Sequence, residues 1–167
     1  IYITGNIGDA MAGFMAFERN EKEFDRLRNK FLFPEALISL SQALTDSYHV
    51  TSMIDVSDGL ATDLGNLCNE SHCGAYIYED LLPISDDFRR ITKKFGVDST
   101  DFAISSGEDF ELLFTSDDET ISEKFQLMNH NITRIGEIIE HSHGIKLHRK
   151  NNEVEQVFSK GYEHFKS

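Results

Sequence analysis

The stretch from Thr51 to Leu64, TSMIDVSDGLATDL, holds the change of period on which the fold turns. From His49 to Val56 the residues are largely apolar or β-branched, which predicts a strand. Gly59 breaks that pattern. Beyond it Leu60, Leu64 and Leu67 recur at helical spacing, predicting an amphipathic helix over Leu60–Glu70 that stops in the Ser71-to-Gly74 cluster. At the junction the chain places Asp55, Ser57, Asp58 and Asp63. On a strand Asp55 and Ser57 share a face, and Asp58 falls on the turn, where Gly59 permits an unusual backbone angle or a close ligand approach. Two chemistries account for such a cluster. Ser57 or Asp58 can cap the Leu60 helix, with Asp63 in its first turn, which is the commoner arrangement. Alternatively, hard carboxylate and hydroxyl oxygens at a strand end suit Mg²⁺, which takes one or two carboxylates and keeps waters and phosphates as its other ligands. Asp55 interrupts an apolar strand, which a cap does not explain.

Outward from this junction the chain reads as strands and helices in mixed order. Ile1 to Thr4 is a short strand closed by Gly5, and GDAMAGFMAFER is a helix with Asp9 at its positive end. Asn20 to Lys30 is a solvated helix or linker, and Pro34 fits the first position of a helix PEALISLSQAL. GAYIYEDLLPIS gives a strand and a turn; Asp86 to Phe95 is helical and Gly96 follows it as a terminator. FELLFT (Phe110–Thr115) is a strand after the turn SSGED. A helix from Glu119 to about Met128 precedes a strand ITRIGEIIE, then a hairpin with Asn151 and Asn152 at its tip. Without strict alternation of strand and helix, the pattern points to an α+β sandwich.

The 167 residues are enough for one globular domain, and 40% hydrophobic with 27% charged residues excludes wholesale disorder. No apolar run approaches the roughly 20 residues that span a bilayer. A formal charge of −13 argues against a nucleic-acid surface and accounts for solubility. Cys68 and Cys73 have no second pair and are expected as free thiols in a reducing cytoplasm. The chain starts without Met inside a strand and carries no signal-peptide pattern, so we expect a fragment of something longer.

A second stretch, SSGEDFELLF, sets Glu108 and Asp109 on a glycine turn, with Glu111 either accepting from a polar ligand or facing solvent. ITGNIGDAMAG lacks the Lys-Ser/Thr of a P-loop and the spacing of a dinucleotide fingerprint, so its glycines are expected to let helix and strand pack closely. The histidines show no metal-ligand spacing, and His141 and His143 fall in an exposed turn. In the tail, Tyr162 and Phe165 would by default complete a core.

Together these stretches resemble the C-terminal half of thiamine-monophosphate kinases, in the superfamily of aminoimidazole ribonucleotide synthetase and selenophosphate synthetase. YITGNIGDAMAG, MIDVSDGLATDL, CGAYIYEDLLPIS, SGEDFELLFT, RIGEI and GYEHF occur in the family's order over nearly the whole chain. The resemblance implies a layered sandwich of the aminoimidazole ribonucleotide synthetase C-terminal type, a mixed sheet flanked by helices, with residues 1–167 as a single domain of a longer two-domain kinase. It implies ATP-dependent phosphorylation of thiamine monophosphate to the diphosphate with Mg²⁺. By motif position Asp55 and Asp58 would be metal ligands, Ser57 would contact ATP, and Glu108 and Tyr162 would bind thiamine. The family's N-terminal half, with further acidic motifs and the dimer interface that builds the nucleotide site, would be the missing partner, leaving this chain inactive alone. A non-catalytic maturation domain of the same fold, or a sister ATP-dependent synthetase, is the alternative. Departures are Leu37 in place of the Arg of P-x-P-R, Ser106 for the first Gly of G-G-E-D, and Asn66 for a His.

Overall fold

In the computed structural model, which describes residues 1–122 and 131–157, the strand–turn–helix junction stands as the sequence predicts. β2 covers Val50–Asp55 and α4 covers Leu60–Glu70, with Leu60, Leu64 and Leu67 all buried. Before them come β1 (Tyr2–Thr4), α1 (Asp9–Glu18), α2 (Asp25–Leu32) and α3 (Ile38–Ser47). After them come β3 (Cys73–Tyr78), α5 (Asp86–Phe95), α6 (Ser99–Ser105), β4 (Leu112–Ser116), β5 (Ile132–Arg134), β6 (Gly136–Glu140), β7 (Ile145–His148) and β8 (Val154–Gln156).

The strands form two four-stranded sheets. The first, in the order β2-β4-β1-β5, is antiparallel throughout. The second, β6-β3-β7-β8, is mixed because β3 and β7 run parallel. Alternation along β1 and β4 splits the core. Tyr2, Leu112 and Phe114 face α3, where they meet Leu40, Leu44 and Ile121. Ile3 and Leu113 face the other way, into the main core with Ala12, Leu60, Leu64 and Phe88 from the helices and Ala75, Ile77 and Leu147 from the mixed sheet. The antiparallel sheet is thus covered on both faces, the layered α+β arrangement expected.

Three local readings change. ITRIGEIIE is not one strand: β5 joins the antiparallel sheet and β6 the mixed sheet, with Ile135 between them. The Ile135 amide donates to the Ile1 carbonyl (2.9 Å), while its own carbonyl accepts from the Tyr78 amide (2.9 Å). Pro34 does not open a helix, since α3 starts only at Ile38. Gly13 lets α1 approach a helix rather than a strand, because a Cβ there would overlap the Leu27 carbonyl of α2. The helix expected from Glu119 lies mostly outside the described residues. Cys68 and Cys73 are free thiols, and among the described residues no helix is long and apolar enough to cross a membrane.

Candidate active site

Beyond the pairing of Asp55 with Leu112, β2 and β4 continue as two turns laced by backbone hydrogen bonds. The Val56 amide donates to the Glu111 carbonyl (2.8 Å), the Phe110 amide to the Val56 carbonyl (2.9 Å) and the Glu108 amide to the Ser57 carbonyl (2.9 Å). DVSDG and SGED, far apart in the sequence, therefore lie side by side at one end of the antiparallel sheet. The lacing requires close backbone approach. A Cβ on Gly107 would overlap the Ser57 carbonyl, and one on Gly59 would stand 3.0 Å from the Ser105 carbonyl at a φ of +107°. Ser106, by contrast, has φ −81° and ψ 133°, which any residue adopts, so a serine is tolerated where the family pattern has glycine. Gly107→Ala should accordingly cost about 1–3 kcal/mol, lowering the melting temperature by about 2–4 °C per kcal/mol. Ser106→Gly should stay within about 1 kcal/mol in the same thermal melts. Equal melting of the two variants would dismiss close approach as what holds the turns.

The helix-cap reading of Ser57 and Asp58 does not hold: the residue before α4 is Gly59, and no side chain caps the helix. The side chain runs the other way. Asp63, 2% exposed in the first turn of α4, reaches back so that its Oδ2 accepts the Ser57 and Asp58 amides, both at 3.0 Å. It is a structural member of the cluster rather than a bystander on the helix. Burial raises its carboxyl pKa, the bonded amides oppose that, and the nearby Asp58 and Asp55 charges add to it.

The SGED turn divides its acids by backbone geometry. Glu108 (φ 69°) and Phe110 (φ 52°) are left-handed non-glycine residues on either side of Asp109. Glu108 is exposed, whereas Asp109 is 1% exposed and turned inward. Its Oδ2 accepts the Gly8 amide (2.6 Å) and its Oδ1 the Ala10 amide (3.0 Å), so it closes the N-terminus of α1 from across the fold. Burial pushes this carboxyl up to about 7 despite those two donors. Glu111 does not face solvent. It is buried, accepts from Thr4 Oγ1 (2.5 Å) and pairs with Lys30 Nζ at 2.7 Å. Asp9, expected simply to face the helix dipole, is buried and accepts from Ser85 Oγ at 2.6 Å.

What remains turned outward is Asp55, Asp58 and Glu108, with Ser57 half-buried between them. Among the described residues, none of their side chains makes a hydrogen bond or ion pair. Nor do the described residues bring three metal-binding side chains together into a closed cage. Two free carboxylates on a rigid turn fit a hard cation that draws its other ligands from water and phosphate. Tyr162 lies outside the described residues.

Residues 1–148 match the model of the AIR synthase related protein, C-terminal domain. The chain belongs to this family. Among its relatives, the thiamine-monophosphate kinase of Haemophilus influenzae is 34% identical over 175 residues, covering 99% of this chain. The chain spans about half, 52%, of that relative's length. AaThiL complexed with AMPPCP and TMP superposes with a TM-score of 0.81 at 27% identity, over 98% of this chain and 50% of that one. Escherichia coli HypE, a hydrogenase maturation protein, shares the fold at 19% identity, with a TM-score of 0.68 over 97% of this chain and 50% of its own.

Proposed function

We propose that the longer protein of which this chain forms the C-terminal half transfers the terminal phosphoryl group of ATP to thiamine monophosphate, giving thiamine diphosphate. The observation that carries this reading is the laced pair of turns, which presents Asp55, Asp58 and Glu108 together, outward and without partners among the described residues. Partnerless carboxylates on an over-determined backbone are what a site for charged ligands needs. The thiamine-monophosphate kinases among the relatives, and the nucleotide analogue and TMP held by AaThiL, support the substrates.

In this reading Asp55 and Asp58 hold Mg²⁺, which neutralises phosphate charge when bound. Ser57 contributes its hydroxyl to the nucleotide. Glu108 accepts hydrogen bonds from the thiamine ring system, with Tyr162 against the same moiety. Asp63 contributes at one remove: by taking the Ser57 and Asp58 amides it fixes the turn from which the ligands project. Phosphoryl transfer asks for positioning and charge stabilisation rather than a covalent intermediate, so rigid placement is this chain's share of the work. The remaining groups, the second domain and a dimeric, cytoplasmic setting belong to the same reading.

The test is product formation. The longer protein with ATP, thiamine monophosphate and Mg²⁺ should yield ADP and thiamine diphosphate in equal amounts, measured by chromatography. Turnover with a different phosphate acceptor and none with thiamine monophosphate would overturn the substrate assignment.

A further inference from the structure

A cleft of about 460 Å³ opens at the same end of the antiparallel sheet as the DVSDG turn, but beyond β4, at the ends of β1 and β5. Its floor holds Thr4, Gly5 and Glu111, and α2 with the connection to α3 forms its wall. The chain carries a formal charge of −13, and this cleft sets two cations, Arg26 and Lys30, against two carboxylates, Asp9 and Glu111. Arg26 and Lys30 stand one turn apart on α2, and the amides of Asn6 and Asn131 face them from the sheet end. The acids in the floor are already engaged, Glu111 by Thr4 and Lys30 and Asp9 by Ser85. Among the described residues, the side chains of Arg26, Asn6 and Asn131 make no hydrogen bond or ion pair. The same wall continues as an apolar surface, with Phe33, Leu37 and Leu40, the first 74% exposed.

A planar guanidinium with amide donors recognises the paired oxygens of a phosphate or carboxylate, and an exposed ring beside it accepts a flat apolar body. We propose that this cleft binds a small organic oxyanion, a phosphate monoester or carboxylate borne on a flat apolar ring, separately from the Asp55–Asp58 turn. The site follows from its own residues and does not depend on the phosphotransfer reading.

Calorimetric titration of the longer protein with phenyl phosphate, without nucleotide or Mg²⁺, tests this. One saturable site is expected. Arg26→Ala should weaken it about tenfold or more, the worth of a charge-assisted hydrogen bond. Phe33→Ser should weaken phenyl phosphate about tenfold while leaving inorganic phosphate unchanged. Arg26 and Phe33 are exposed, so both variants keep the fold. Asp55→Asn should leave both ligands unaffected. Absence of binding at millimolar phenyl phosphate, indifference to Arg26→Ala, or loss in Asp55→Asn each overturns the proposal.

Discussion

Asp55→Asn in the longer protein is expected to lower thiamine-diphosphate formation about 10³-fold, corresponding to about 4 kcal/mol of transition-state stabilisation. The loss belongs to chemistry rather than folding. Asp55 ends β2 exposed, and its carboxylate has no partner among the described residues, so an isosteric amide removes no structural contact. Its effect on stability should stay within about 0.5 kcal/mol, as for surface substitutions generally. A carboxylate that holds Mg²⁺ makes a further demand, since the residual activity should need more Mg²⁺ for half-saturation. Rates measured across a Mg²⁺ titration, beside a thermal melt of the same variant, decide the matter. Unchanged turnover and unchanged Mg²⁺ dependence would sink the metal-ligand role, whereas no turnover in either wild type or variant, with partner binding retained, would favour a non-catalytic scaffold.

Asp109 should make the fold less stable as pH rises from about 4 to about 7. Burial lifts its carboxyl from 3.8 to about 7, so within that window the folded chain keeps a proton that the unfolded chain releases. Stability then falls with rising pH by up to about 1.4 kcal/mol per unit, or about 4 kcal/mol over the window. Asp9 and Asp63, also raised chiefly by burial, act in the same direction. Asp109→Asn removes one titration while retaining the shape. In urea unfolding, the advantage of the wild type over this variant should shrink between pH 4 and 7.5. An advantage that stays constant or grows would show that Asp109 does not titrate in this range.

Periodicity made the junction legible, because Leu60, Leu64 and Leu67 repeat strongly and Gly59 punctuates them; Gly96 served the end of α5 in the same way. α6 went unread because STDFAIS is too short to show a period, although Asp98, which caps it by accepting the Thr100 and Asp101 amides, was a usable signal. The break at Ile135 was invisible, since an apolar residue passing from one sheet to another leaves no polar mark. Within the site, motif order singled out Asp55, Ser57, Asp58 and Glu108. The supporting acids were missed for a shared physical reason. Asp63, Asp109 and Glu111 are satisfied by partners distant in sequence or by backbone amides, which composition and spacing cannot reveal.

Ile135 ties the two sheets to a common count. With its amide committed to one sheet and its carbonyl to the other, neither can slide by a residue without dragging its neighbour out of step. A slip would turn Ile132 and its fellows from core to solvent on one side or the other. The sheets therefore have no independent alternatives to fall into, and they should form and unfold as one cooperative body. The edge bearing Asp55 thereby inherits the stiffness of strands it never touches.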